Sequence, residues 1–295
     1  MLSTIPQLER NMKKFLSSFS ALLIVILLSS GLSSCSTTQI AYNYADWLLI
    51  HRIDYYFGVT KMQNRFIKQR LTEHFAWHRK NELPLYAHFL VMLKAKAQDG
   101  LTQEELDWAF DSVDARLITL FSHLLPDTAS FLSSLHPDQI DYFERKVIKP
   151  HQENKGEKSA VKIKKRLEER ADKIIDKMED WFGNFNKTQK KQITRLTFSL
   201  PDIKEDWAAY RQMKREELIR FLREKPSSSE IEVLLKAWVI APSYPVESQA
   251  KFENMADATK ALILQIDPLI IPKQRQKAIK RLEGYIKDFR VLSNR

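Results

Sequence analysis

Cys35 is the only cysteine of the 295-residue chain, and the residues before it give its thiol a specific chemical context. Residues 12–14 are Met-Lys-Lys, residues 15–28 form a mostly apolar run, and residues 32–34 are Leu-Ser-Ser. A basic start followed by an apolar run shorter than the roughly 20 residues of a transmembrane helix is typical of a signal peptide. A single cysteine also excludes an intrachain disulfide and a metal site built from cysteines.

The segment ending at Cys35 resembles the bacterial lipobox, in which the cysteine thiol accepts a diacylglyceryl group before cleavage. This resemblance implies a lipoprotein signal peptide over residues 1–34, a lipidated Cys35 with a short spacer over 35–39, and a periplasmic domain over 40–295. Ser36 stands where an Asp tends to retain Gram-negative lipoproteins at the inner membrane, so we expect the periplasmic face of the outer membrane. The alternative is an ordinary signal peptide with an incidental cysteine.

Six polar residues lie among aromatic side chains in two stretches after the predicted leader. Partly buried polar groups need partners, so an Asp46 or Asp54 pair with Arg52 or Arg79 could lock the first helix onto the second. The alternative is a ligand site. The candidate cluster consists of Asn43, Asp46, Asp54, His78, Arg79 and Glu82.

Metal and cofactor chemistry have little support in the sequence. His74 and His78 are four residues apart, so both face one side of a helix, and Glu82 continues the row. Two histidines and a carboxylate can bind Zn²⁺, but there is no His-Glu-x-x-His motif and no third strong ligand is dictated. We therefore predict no metal site and no cofactor, with His74 and His78 as the only candidates.

Enzyme motifs are also missing from the sequence. It has no Gly-x-Ser-x-Gly, no phosphate-binding loop and no further cysteine. The dipeptide Glu247-Ser248 matches the catalytic segment of lytic transglycosylases, but the Gly-Leu-Met-Gln segment of those enzymes is absent. We expect a protein that is not an enzyme, with a lytic transglycosylase as the remote alternative.

The charge distribution suggests anionic partners. The formal net charge is +10, and residues 1–34 hold three basic residues and one acid, which leaves +8 on the rest. Residues 145–170 and 273–295 each carry a net +6. Basic surface on a membrane-tethered protein favours anionic headgroups or envelope glycans, although solvated helix faces would give the same composition. In the periplasm we expect no nucleic-acid partner.

Apolar residues three and four apart recur through most of the chain, which predicts an all-α bundle of about ten helices. Capping boxes are predicted at Thr60, Thr102 and Ser229, with another at Asn186. Pro84 should kink or split a long helix, whereas Pro126 and most other prolines should separate helices. A sub-boundary is expected near residues 151–158. Core packing is expected for the tryptophans, which fall on six predicted helices: Trp47, Trp77, Trp108, Trp181, Trp207 and Trp238.

The two halves of the chain share a weak sequence similarity. Phe57-Gly58, Gln63 and Ile67 are followed later by Phe182-Gly183, Gln189 and Ile193 at similar spacing. An ancient duplication would explain the match, and so would shared helix-start chemistry.

Two stretches resemble a family of uncharacterised Gram-negative outer-membrane lipoproteins. Residues 41–47, Ala-Tyr-Asn-Tyr-Ala-Asp-Trp, match its Ala-Tyr-Asn-x-Ala-Asp-Trp segment, and residues 77–79, Trp-His-Arg, precede Glu82, Leu83-Pro84 and Tyr86 as in the family. A further match covers residues 206–211. The resemblance implies location and fold but supplies no activity.

The expected function is that of a structural or interaction module of the envelope, with the membrane and envelope proteins as partners. The alternative is a chaperone-like periplasmic protein, because three helix starts faintly resemble those of small periplasmic chaperones. These starts are Thr60 to Gln63, His136 to Gln139 and Pro272 to Gln274.

Overall fold

A computed structural model describes residues 36–148, 160–240 and 242–294. These residues contain twelve α-helices and no strand, which confirms the all-α prediction. The predicted signal peptide over 1–34, Cys35 and the predicted boundary near 151–158 lie outside the described residues. The helices are α1 Ser36–Asn43, α2 Ala45–Phe57, α3 Lys61–Trp77, α4 Leu83–Lys96, α5 Gln103–Ser133, α6 Pro137–Val147, α7 Ala160–Phe182, α8 Lys187–Thr197, α9 Lys204–Arg223, α10 Ser228–Ile240, α11 Val246–Ile266 and α12 Pro272–Ser293.

The kink expected at Pro84 takes the form of a π-helical turn, His78–Glu82, between α3 and α4. Proline has no N–H, and its ring would clash with the carbonyl four residues earlier in a regular helix. The wider turn relieves this crowding, and the Leu83 N–H donates to the His78 carbonyl five residues back. The chain therefore stays helical through the turn, while the side chains of residues 78–82 rotate relative to those of α3.

Pro126 does not separate two helices as we expected, because it lies inside the 31-residue helix α5. Hydroxyl groups bond to nearby carbonyls on both sides of it: Thr128 Oγ1 donates to Leu124 O at 2.8 Å and Ser130 Oγ donates to Pro126 O at 2.9 Å.

The N-cap of α10 is also shifted from the prediction. Ser227 rather than Ser229 is the cap, and its N–H donates to Glu230 Oε2 at 2.8 Å.

A reciprocal amide pair joins the start of α3 to the start of α6. Gln63 Nε2 donates to Gln139 Oε1 at 3.1 Å and Gln139 Nε2 donates to Gln63 Oε1 at 2.9 Å, with both side chains buried. The same amides bond to backbone: Gln63 reaches the Ser134 carbonyl and Gln139 reaches the Gly58 carbonyl. One glutamine pair thus satisfies two helix N-termini and two connecting loops at once.

A second pair repeats this arrangement between α8 and α12. Gln189 Nε2 donates to Gln274 Oε1 at 2.9 Å, and both side chains are again buried. Gln189 reaches the Leu269 carbonyl and Gln274 reaches the Asn184 carbonyl. Gly58 and Gly183, the residues that end the preceding helices, have φ of +55° and +82°, a left-handed conformation that favours glycine.

The sequence similarity between the halves therefore corresponds to a repeated structural feature, a left-handed glycine followed by a buried glutamine pair. In the first half α2 packs against α3 and α6, and in the second half α7 packs against α8 and α12 in the same way. The halves also exchange neighbours, since α6 packs against α9 of the second half and α12 packs against α4 of the first.

Three hydrophobic clusters follow this arrangement. The first combines α2, α3, α5 and α6 with Ile219, Leu222 and Ile231 of the second half. The second joins α4 to α12 and includes Tyr42 of α1, and the third lies within the second half. Among the described residues no helix is both long and apolar enough to cross a bilayer.

We predict that Gln63→Ala or Gln139→Ala lowers the free energy of unfolding by about 2–4 kcal/mol, because truncation leaves buried polar groups without partners and opens a cavity. A double-mutant cycle measured by chemical denaturation should give a coupling energy of about 1–2 kcal/mol. Gln192→Ala, on the exposed face of α8, is the control and should change stability by less than about 0.5 kcal/mol. Additive single effects at Gln63 and Gln139 would contradict the pairing.

Candidate functional site around the pi-helical turn

Helix α1 begins one residue after Cys35 and is fixed to the body. Thr38 and Tyr42 are buried, and Gln39 Nε2 donates to Asp288 Oδ1 of α12 at 2.8 Å. Burial raises the pKa of Asp288, while hydrogen bonds from Gln39 and Thr38 act in the opposite direction. The predicted spacer over residues 35–39 is therefore helical from Ser36 onward, and half a turn into α1 the chain is already in contact with the C-terminal helix.

Tyr42 connects α1 to the π-helical turn. Its hydroxyl lies 2.9 Å from His78 Nδ1, and its ring stacks on the imidazole with centroids 5.7 Å apart. The Arg79 guanidinium lies over the Tyr42 ring, 5.1 Å from its centroid. Arg79 NH2 also donates to Asn43 Oδ1 at 3.0 Å. Asn43, His78 and Arg79 of the predicted cluster are thus brought together around Tyr42, a residue the cluster did not include.

His78 is held as a neutral imidazole at physiological pH. Burial lowers its pKa to about 4, and the positive charge of Arg79 acts in the same direction. A neutral imidazole can accept or donate one hydrogen bond to the Tyr42 hydroxyl, whereas the protonated ring would have to be desolvated beside Arg79.

Glu82 is the most buried acid of the cluster, with 2% of its surface exposed. Arg116 NH1 of α5 approaches Glu82 Oε1 at 3.7 Å, and Tyr86 lies beside the carboxyl group. Burial raises the pKa of Glu82 and that of Tyr86. Glu82 Oε2 and the Tyr86 hydroxyl have no hydrogen bond of good geometry among the described residues. The carboxylate therefore connects the π-helical turn to α5 at a cost in desolvation.

Asp46 and Asp54 stand apart from this contact. Both are exposed, and each accepts a bond from nearby backbone: Asp46 Oδ1 from the Trp47 N–H at 2.7 Å and Asp54 Oδ1 from the Val59 N–H at 3.1 Å. Arg79 donates to Asn43 Oδ1 and forms no ion pair with either aspartate among the described residues. The reason is that Asn43, at the end of α1, lies over the π-helical turn and takes the Arg79 bond instead.

His74 and His78 do not share a partner. His74 Nε2 lies 3.0 Å from Asp127 Oδ2, while His78 turns toward Tyr42. His123 stacks on Trp77, with centroids 3.7 Å apart. Residues 36–148, 160–240 and 242–294 contain no group of three or more His, Cys, Asp or Glu that could hold a metal ion.

The two residues of the Glu247-Ser248 dipeptide, which suggested a transglycosylase, face opposite environments. Glu247 is exposed in the first turn of α11, whereas Ser248 is buried, with its hydroxyl 3.4 Å from the Pro245 carbonyl. The cluster around the π-helical turn, by contrast, consists of stacked rings and paired polar groups between α1, α3, α4 and α12. This geometry is suited to fastening α1 to the body.

We predict that stability falls on acidification between pH 6.5 and about 4, because unfolding lets His78 bind a proton that the folded state excludes. The contribution of His78 is at most about 3 kcal/mol. Burial also lowers the pKa of His74 and His123, and raises that of Glu82, so the readout is the difference between variants.

His78→Asn should flatten the pH dependence of the unfolding free energy, measured by denaturation at several pH values. His88→Asn, on an exposed face of α4, is the matched control and should leave the slope as in the parent protein. An unchanged slope in the His78 variant would contradict the burial of a neutral ring.

Comparison with known proteins gives one family match. A search of curated proteins finds no match, and a search of solved structures finds none either. The model of a family of unknown function, DUF6279, matches residues 55–238, which include the π-helical turn, the first glutamine pair and the Gln189 member of the second. Since this is more than half of the 295 residues, the chain belongs to the family of unknown function DUF6279.

Proposed function

We propose that this protein is a lipoprotein anchored through Cys35 at the periplasmic face of the outer membrane, where its helical body serves as a structural or interaction module of the cell envelope. The observation that carries the proposal is the position of α1. The helix starts directly after the lipobox cysteine and is held to α12 by Thr38, Gln39 and Tyr42.

This arrangement supports an anchor that holds the body close to the bilayer. A flexible spacer would let the body move away from the membrane surface, whereas a helix fixed from its first turns transmits the position of the lipid to the bundle. Stable anchoring needs more than one acyl chain, since each buried CH₂ contributes only about 0.8 kcal/mol. A cysteine modified on both sulfur and amine would meet this requirement.

Basic residues near α1 support contact with anionic headgroups or glycans. Lys287 and Arg290 are exposed on α12, on either side of the buried Asp288 that receives the Gln39 bond. Lys273, Lys277 and Lys280 continue the exposed basic face of the same helix. Positive charge at this place would favour a negatively charged membrane surface within about one Debye length.

The chaperone alternative loses the feature that suggested it. The glutamines of the three chaperone-like helix starts, Gln63, Gln139 and Gln274, are buried and bond to other glutamines and to backbone carbonyls. Their occurrence is explained by the folding of this bundle, so it no longer points to client binding.

We predict that Cys35→Ala protein is recovered from membranes without detergent, because the substitution removes the acyl chains that hold the protein in the bilayer. Fractionation followed by an alkaline wash measures this. Ser33→Ala, which keeps a small residue in the lipobox, is the control and should still require detergent. Retention in the washed membrane of Cys35 variant protein whose N-terminal peptide shows that the leader has been removed would show that acylation is not the anchor.

We predict that Ser36→Asp moves the protein from the outer to the inner membrane while the fold is kept, because Asp at this position favours inner-membrane retention and an acid is favourable at a helix N-terminus. Separation of the two membranes on a density gradient measures the distribution. Thr37→Asp, one residue further along α1, is the control. An unchanged location of the Ser36 variant would argue against sorting through this position.

A further inference from the structure

Helices α1 and α2 carry an exposed row of large apolar side chains that the glutamine pairs, the π-helical turn and the cores leave unused. Trp47 and Leu48 are 56% and 57% exposed, and Tyr44 is 65% exposed. We call this row the aromatic stripe; its members are Ile40, Tyr44, Trp47, Leu48 and Tyr55. Trp47, which we expected in the core, is exposed, whereas the other five tryptophans are half-buried.

The stripe forms one face of a nearly continuous helix. The helical hydrogen bonds continue across Tyr44, since its N–H donates to Ile40 O and its carbonyl accepts from the Leu48 N–H, each at 3.1 Å. At about 100° per residue, the five members fall within an arc of roughly 100° and span about 22 Å of helix. Tyr42 and Tyr56, on the opposite face, are buried against the body. The helix is therefore apolar on two faces, and only one of them is covered by the body.

A bilayer is the occupant that the position of the stripe favours. Ile40 lies five residues after Cys35 in the sequence, so acyl chains on that cysteine would bring the bilayer to the first member of the stripe. Trp and Tyr are also the residues that concentrate at the membrane–water interface, where a polar tip and an apolar ring are both accommodated.

The charge at the far end of the stripe agrees with a membrane surface. Lys146 Nζ lies 4.1 Å from the Tyr55 ring centroid and 5.1 Å from that of Tyr142. Arg145 is exposed in the same last turn of α6. Basic side chains beside interfacial aromatic rings attract anionic headgroups and leave the rings free to enter the boundary of the acyl chains.

We propose that the aromatic stripe lies in the headgroup region of the bilayer, parallel to its plane, and fixes the orientation of the body on the membrane. The proposal rests on the proposed lipid anchor, which raises the local concentration of the stripe at the bilayer so that five side chains suffice for stable contact. The lipid holds the protein to the membrane, and the stripe determines which face of the bundle points toward the periplasm.

The test uses the native lipoprotein, purified from membranes and reconstituted into vesicles of phosphatidylethanolamine and phosphatidylglycerol. Lipids brominated near the glycerol end of the acyl chain quench tryptophan fluorescence at interfacial depth. We expect quenching in the parent protein, loss of most of it in Trp47→Phe, and no loss in the control Trp238→Phe. The paired variant Ile40→Gln with Leu48→Gln should reduce the quenching of Trp47 about two-fold, while Val233→Gln, an exposed position on α10, should not.

The mass of the N-terminal peptide, measured on the same sample, separates this inference from the proposed function. An acylated Cys35 with Trp47 unquenched overturns the stripe proposal and leaves the anchor standing. An unmodified Cys35 overturns the anchor, and quenching of Trp47 then still supports the stripe as a membrane-contacting surface. Trp47 shielded from brominated lipid in a particle of twice the monomer mass would overturn the proposal in favour of a second copy of the chain.

Discussion

Each half of this bundle is organised around a pair of buried glutamines. A buried primary amide carries two donors and an acceptor with two lone pairs. Each of these groups that is left without a partner lowers the stability of the folded state by its desolvation penalty. Gln63 and Gln139 meet this requirement through each other and through the carbonyls of Phe57, Gly58 and Ser134. This hydrogen-bond network fixes the start of α3 relative to the start of α6. It also holds the ends of α2 and α5, so the relative directions of these four helices are set at one junction.

The repeat of that junction explains why the halves interlock. Gln189 and Gln274 set the same crossing in the second half, and α12, which follows that crossing, packs along α4 of the first half. The counterpart helix α6 packs on α9 in return. Helix α1 contacts two elements of the bundle: Gln39 donates to Asp288 of α12, and the π-helical turn before Pro84 presents His78 and Arg79 to Tyr42 and Asn43. The proposed anchor would therefore act on the bundle through α12 and the π-helical turn.

Local chemistry was predictable from the sequence, and long-range pairing was not. The capping residues Thr60 and Thr102 and the helical spacing are set within one turn, so the sequence predicts them directly. Gln39 and Asp288 lie 249 residues apart, and no periodicity connects them. Opposite charge alone did not identify the partner of Arg79, which donates to the neutral Asn43 side chain rather than to Asp46 or Asp54. Trp47 was assigned to the core because an aromatic at helical spacing does not reveal which of two apolar faces is covered. The matching dipeptides Phe57-Gly58 and Phe182-Gly183 were the sequence signal of the repeat.

The chain is fixed to the body from the first turn of α1, so that a lipid on Cys35 would move with the bundle as one unit. Hydrogen–deuterium exchange of the α1 amides in the full-length protein is the measurement that decides this. We expect the amides of Tyr42 and Asn43 to exchange as slowly as those in the middle of α12, because opening α1 requires breaking the Gln39–Asp288 and Tyr42–His78 contacts. Exchange at the rate of an unstructured peptide would contradict it and would make residues 36–43 a flexible tether.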